Sequence, residues 1–215
     1  MAMQLVFFLY MLVPITVCDV FKLVNSSVQL DIQEHLDKSF FFLFWIFNTS
    51  NYIVRYIENS QTRVSERYKE RMKFNEETYS LTLKNLQKSD SGIYEAKAVG
   101  DDSVIVAMYQ LKVLDPVQKP DLTASLQSND NCNVTFTCEA QKLSVTSHCY
   151  NDNCDMKEKK TSGDMFPFLS LYVSNNFIIC NHSNPVSWKN TTMEIKHVKD
   201  VCPSEGVSMH TYCLV

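Results

Sequence analysis

The run Leu86-Gln-Lys-Ser-Asp90-Ser-Gly92-Ile-Tyr94 constrains the fold of this chain more than any other stretch. An Asp-x-Gly-x-Tyr sequence reads as a corner between two strands. The tyrosine ring packs inward and its hydroxyl bonds back to the upstream backbone, pinning the turn. The surrounding sequence agrees. Between Asp19 and Val113, short runs rich in Val, Ile, Phe and Tyr alternate with polar turns: VQLDI, FFLFWIF, YIVRYIE, RMKF, YSLTLKNL, IYEAKAV and SVIVAMYQLKV. Short strands at this spacing favour a sandwich or barrel over a helical fold. The charged stretch SERYKERMK is the one candidate for a helical turn. Glycine is scarce, at four residues, so the turns must rest on Asn, Asp and Ser.

Two further residues specify the sandwich. Immunoglobulin domains pair the corner aspartate with an arginine at the start of strand D, and Arg71 stands at a suitable distance upstream of Asp90. They also bury a tryptophan on strand C, and Trp45 lies in the middle of the second strong strand. The expected fold is therefore all-β, two immunoglobulin-like β-sandwich domains. The inter-sheet disulfide of such a domain would need cysteines near Leu30 and at Ala96. Both positions are apolar, so packing must replace the about 2–4 kcal/mol that a disulfide contributes. The stretch Leu114-Asp-Pro-Val-Gln-Lys-Pro120 marks the boundary, because its two prolines admit neither a helix nor a central strand. It predicts a short, stiff linker. Beyond it, Cys132-Asn-Val-Thr-Phe-Thr-Cys138 alternates, with Cys132, Val134, Phe136 and Cys138 on one face. The expected organisation is a signal peptide over 1–18, a binding domain over 19–113, a linker over 114–120 and a second domain over 121–215.

The leader assignment rests on the apolar opening MAMQLVFFLYMLVPITVC, whose apolar core is too short to span a bilayer and which offers Thr16 and Cys18 at the −3 and −1 positions of a cleavage before Asp19. It carries no Lys or Arg; a buried N-terminal strand is the competing reading. N-x-[ST] acceptor sequences at Asn25, Asn48, Asn133, Asn181 and Asn190 support export and would have to lie on the surface. The tail beyond Cys202 has no apolar stretch that could span a membrane or signal a glycolipid anchor, so the expectation is a secreted, extracellular protein with no direct membrane insertion. The net charge of −4 is mixed along the chain, which argues against nucleic acid as a partner.

The cysteine-free first domain with Trp45, Arg71 and Asp90-Ser-Gly-Ile-Tyr94, the linker Val113–Pro120, Asn131-Cys132…Cys138 and Cys180-Asn-His-Ser-Asn-Pro-Val-Ser187 together resemble the signalling lymphocyte activation molecule (SLAM) family of leukocyte receptors. The linker and cysteine pattern are most similar to its glycolipid-anchored member. The resemblance implies a V-type first domain and a C2-type second domain with bridges Cys138–Cys180 and Cys132–Cys202. It implies recognition through the front sheet of domain one, strands G, F, C and C′, by a SLAM-family receptor ectodomain on natural killer or T cells. Cys149 and Cys154 fall outside the family's pattern, and Ser-His-Cys149-Tyr stands where a strand-C tryptophan is expected. A local Cys149–Cys154 bridge is the first choice there, which leaves Cys213 odd.

His148, Cys149 and Cys154 lack a fourth ligand partner and sit in an oxidising compartment, so a disulfide is favoured over zinc. No nucleophile–histidine arrangement, H-E-x-x-H or phosphate-binding glycine loop is present. The carboxylate pairs Glu76-Glu77 and Asp101-Asp102 sit in predicted turns. The expectation is a non-enzyme without cofactor, metal or catalytic residues.

Alternation assigns the faces of a binding surface. With Trp45 inward, Leu43 and Phe47 point inward, and Phe44 and Ile46 outward. With Tyr94 and Ala96 inward, Glu95 and Lys97 point outward. Strand C′ carries Ile53, Arg55 and Ile57 on one face. On strand G, Met108, Gln110 and Lys112 form the outward set. An apolar centre with charged neighbours is the composition of an interface core and rim. Completion of a V-domain dimer, or packing under a loop, is the plainer reading of Phe44 and Ile46. A glycan at Asn48 would sit at the C–C′ turn beside this surface. A soluble monovalent ligand would occupy its receptor without clustering it, as a decoy. Capture of such a gene by a virus would account for the missing anchor and the altered second domain. The alternative is a homophilic adhesion module.

Overall fold

The computed structural model describes residues 16–34, 36, 40–127, 133–150, 153–154, 158–160 and 166–194. The chain divides into two compact units at the Leu114–Asp115 peptide. Among the described residues it is built of strands, with one short 3-10 turn at Lys88–Asp90.

The first unit contains β1 (Cys18–Leu23), β2 (Val28–Leu30), β3 (Phe42–Phe47), β4 (Asn51–Ile57), β5 (Arg63–Val64), β6 (Met72–Phe74), β7 (Leu81–Leu83), β8 (Gly92–Val99) and β9 (Ser103–Leu114). They form a six-stranded sheet ordered β1-β9-β8-β3-β4-β5 and a three-stranded sheet ordered β2-β7-β6. The inner faces enclose a core of Leu30, Leu43, Trp45, Leu81, Leu83, Tyr94, Ala96 and Leu111, all fully buried. Leu30 and Ala96 thus occupy the disulfide positions with packed side chains. Trp45 donates its indole N–H to the Tyr79 carbonyl at 2.9 Å, so its one polar atom is satisfied inside the core. Truncating a residue so placed typically costs about 3–5 kcal/mol.

Period-two patterning found the main strands and missed β1 and β5. β1 runs parallel to β9, from Cys18 opposite Tyr109 to Leu23 opposite Leu114, and is only half-buried. Most of SERYKERMK forms successive turns, with bonds such as Tyr68 N–H to Ser65 O at 3.0 Å, and its last two residues open β6. Asparagine supplies most of the left-handed backbone, at Asn25, Asn48, Asn59, Asn85, Asn175 and Asn176. A short polar side chain tolerates that conformation better than other non-glycine residues do.

The second unit contains β10 (Asp121–Gln127), β11 (Asn133–Ala140), β12 (Leu143–Tyr150), β13 (Asn153–Cys154), β14 (Glu158–Lys160), β15 (Phe168–Ser174), β16 (Phe177–Asn184) and β17 (Ser187–Glu194), in two four-stranded sheets, β10-β11-β12-β13 and β14-β15-β16-β17. Cys138 and Cys180 are bonded across the core, with Cα atoms 5.6 Å apart. Cys149 is also disulfide-bonded and buried, and its register partner across the β12–β13 hairpin is Cys154. Cys149, at the position where a strand-C tryptophan was expected, belongs to the same buried core cluster as Val134 and Phe136. The expected Cys132–Cys202 bridge, Cys213 and the leader before residue 16 lie outside the described residues. Residues 115–120, expected as part of a short, stiff linker, are tied to the second unit: the Asp115 carbonyl accepts from Asn184 Nδ2 at 2.9 Å, and the Val117 amide donates to Ser187 Oγ at 2.8 Å.

Candidate recognition surface

The corner that fixes the surface forms as the sequence predicts. Arg71 grips Asp90 with two guanidinium hydrogen bonds of 2.7 and 2.9 Å. The Gln87 amide donates to the same carboxylate at 2.8 Å, and the Tyr94 hydroxyl donates to the Asp90 carbonyl at 2.7 Å. Burial alone would raise the Asp90 carboxyl; the bonds from Arg71 and Gln87 outweigh it and hold the group below its ordinary value. Burial, followed by the nearby Asp90 charge, pushes the Tyr94 phenol well above its ordinary range. The corner sets where β8 begins, and β8 lies at the centre of the six-stranded sheet.

The outer face of that sheet is a grid set by register. One row runs Tyr52–Ile46–Glu95–Met108 and the next Arg55–Phe44–Lys97–Ile105; beyond them Phe42 lies between Ile57 and Val99. The structure therefore brings Phe44, Ile46, Arg55, Glu95, Lys97 and Met108 onto one surface. Gln110 lies one row further, opposite Ile93, and Lys112 beyond it faces Asp19 at 3.8 Å.

Two expectations need correction. Ile46 belongs to neither core cluster, yet it is only 6% exposed, lying beneath its neighbours on the outer face. Ile53 does not share a face with Arg55: it is 1% exposed and part of the core. A bulge between Trp45 and Ile46 sets Trp45 opposite Val54 and Ile46 opposite Tyr52, leaving Ile53 as the extra residue. Tyr52 takes the outward place that alternation gave to Ile53.

Sequence reasoning also missed Phe42, which the same alternation that found Phe44 would have supplied. Phe42 and Phe44 stack with centroids 6.1 Å apart, and Phe44 meets Tyr52 edge-on at 5.5 Å. The Arg55 guanidinium lies 4.4 Å over the Tyr52 ring, a contact worth about 0.5–1 kcal/mol at an exposed site. Phe42 and Tyr52 are 39% and 42% exposed, so this strip presents ring surface to solvent. At the edge of the strip Asn48 holds the β3–β4 turn against β8, its Oδ1 accepting from the Ile93 amide at 3.0 Å. A glycan would attach through Nδ2 and leave that bond intact.

Two of the three residues weighed as zinc ligands are engaged elsewhere. Cys149 is committed to a disulfide, while His148, on the opposite side of β12, contacts Thr135 Oγ1 at 3.0 Å. Among the described residues no group of three or more His, Cys, Asp or Glu side chains could hold a metal, and no helix is long and apolar enough to cross a membrane.

Comparison with known proteins agrees with the sandwich. The immunoglobulin V-set domain family matches residues 20–114. The first unit has the fold of an immunoglobulin V-set domain. Human SLAM family member 7 is 35% identical over 99 residues, which cover 44% of this chain and 30% of that protein. Human lymphocyte function-associated antigen 3 is 29% identical over 164 residues, covering 74% of this chain and 62% of that protein. The chain thus spans less than two thirds of these curated relatives. The crystal structure of the CD2-binding domain of CD58 (lymphocyte function-associated antigen 3) superposes with a TM-score of 0.53 at 17% identity, over 84% of this chain and 97% of that one, a likeness of fold. The V-set domain thus has modest similarity to SLAM family members, and a further β domain follows it.

Proposed function

We propose that this chain is an exported immunoglobulin-superfamily recognition protein. Its V-set domain docks the outer face of the six-stranded sheet onto a SLAM-family receptor ectodomain on natural killer or T cells, and the protein acts as a soluble decoy that dampens their activation. The observation that carries the docking face is the Phe42–Phe44–Tyr52 strip, capped by Arg55 and bordered by Glu95 and Lys97. Aromatic and arginine side chains at the centre with charges around them make the composition in which binding energy concentrates. The partner class is supported by the relatives: two are SLAM family members, and one structural neighbour is a CD2-binding domain.

Surface plasmon resonance of the purified protein against each SLAM-family ectodomain tests this. Phe44→Asp is expected to weaken binding by about 2 kcal/mol or more, about 30-fold at least, as a central anchor does. Lys97→Glu is expected to alter mainly the on-rate and its salt dependence. Binding to none of the ectodomains sinks the ligand reading, and unchanged binding of both variants sinks the face assignment.

One observation favours a second reading, homophilic adhesion. Glu95 and Lys97 stand two residues apart on one strand, so a two-fold axis between two copies would set opposite charges across from each other. Analytical ultracentrifugation at high concentration would then show a dimer that Lys97→Glu disperses.

A further inference from the structure

The second domain has an outer face of its own. On the β15-β16-β17 part of its sheet, Leu169, Leu171, Ile178 and Cys180 point into the core. The alternate residues face outward, where register sets Ser183 beside Trp188, Asn181 beside Asn190 and Ile179 beside Thr192. Trp188 is 67% exposed, more than any other large apolar side chain described. Leaving an indole in water forgoes about 25 cal/mol per Å² of apolar surface, so the side chain calls for a cover.

That cover is encoded two residues away. Trp188 and Asn190 lie on the same strand at i and i+2, hence on the same face and about 7 Å apart along it. Asn190 is exposed and opens the acceptor sequence Asn190-Thr191-Thr192. A pyranose ring has one face of C–H bonds, apolar and slightly positive, which complements the negative face of an aromatic ring. A protein partner seated on the indole would instead have to fit beside two acceptor asparagines directly opposite one another.

We propose that Asn190 carries an N-linked glycan whose first sugar packs on the Trp188 indole, so that the two residues form one site. An oligosaccharyl transferase supplies the sugar from a lipid-diphosphate-linked oligosaccharide. The asparagine amide nitrogen forms a C–N bond to the anomeric carbon, the C–O bond to the diphosphate breaks, the lipid diphosphate leaves with the electron pair, and one amide proton is lost to solvent.

The chain has two tryptophans, and Trp45 is fully buried, so emission changes report Trp188. The test uses full-length protein secreted from cultured mammalian cells, with Ser183→Ala in every sample to silence Asn181. Glycopeptide mass spectrometry is expected to find Asn190 occupied, and tryptophan emission to shift to longer wavelength when Thr192→Ala abolishes that acceptor. Enzymatic release of the glycan from the folded protein gives the same shift without relying on the variant to fold. Trimming to a single sugar leaves the emission in place. An unmodified Asn190 overturns the proposal, as does an emission that ignores glycan release. If no acceptor anywhere on the chain is modified, the proposal falls together with the reading of export.

Discussion

The Asp90 carboxylate accepts two hydrogen bonds from Arg71 and one from the Gln87 amide, while its own carbonyl takes the Tyr94 hydroxyl. Four contacts on one buried residue tie the segment entering β6, the corner and β8 together. Because the folded carboxyl titrates below its ordinary value, the unfolded chain binds the proton first. The stabilisation is complete above about pH 4 and is lost as pH falls through the lower folded value. Arg71→Met leaves that carboxylate buried without its counter-ion, with only the Gln87 amide bonded to it, and the first domain is expected to lose about 3–5 kcal/mol at pH 7. Burial then raises the Asp90 carboxyl, so the sign reverses: the variant gains stability as acid neutralises the group. Thermal melts of both proteins from pH 7 to pH 3 check the magnitude and the reversal. Arg71, Asp90 and Tyr94 were legible in the sequence because their roles depend on one another at fixed spacing. Tyr52 was not, since its direction depends on a neighbouring strand.

At the scale of elements, two bulges shape the outer face. One leaves Ile53 as an extra residue in β4, and the other, between Ala96 and Lys97, does the same to Val106 in β9. Both extra residues are apolar and buried, so the hydrophobic pattern gives no sign of the slip. Alternation therefore put Arg55, Ile57, Met108 and Gln110 on the outer face where they lie, and misplaced only Ile53, the extra residue of the first bulge. The β3–β4 turn is locked to β8 at Gly92: a Cβ there would lie 2.5 Å from Asn48 Oδ1 and 2.5 Å from the Phe47 ring. The corner glycine is thus required by close approach as well as by the turn. Gly92→Ala is expected to displace Asn48 and break its bond to the Ile93 amide, costing about 1–3 kcal/mol. Loss of hydrogen-exchange protection confined to the β3–β4 turn and the start of β8 is the signature to measure.

Across the whole molecule, the two units are held by different means. The first relies on a large apolar core and the Asp90 network; the second joins residues 42 apart through Cys138–Cys180. Closing a loop of that length contributes about 4 kcal/mol in the chain-entropy model. The double variant Cys138→Ala/Cys180→Ala is expected to lower the calorimetric transition of the second domain and leave that of the first in place. Cysteine spacing announced this inequality. It did not announce that residues 115–120 belong to the second domain. Proline content marks a break in regular structure and is silent about which neighbour the segment docks on. Here the docking groups are side chains of β16 and β17: Asn184, Ser187, Thr191 and also His182, whose Nδ1 lies 2.9 Å from the Gln118 carbonyl. The consequence is one of portability. The smallest piece that could be transplanted into another protein as a second domain begins at Asp115. A cut at Asp121 would strand four polar side chains whose partners stayed behind with the donor.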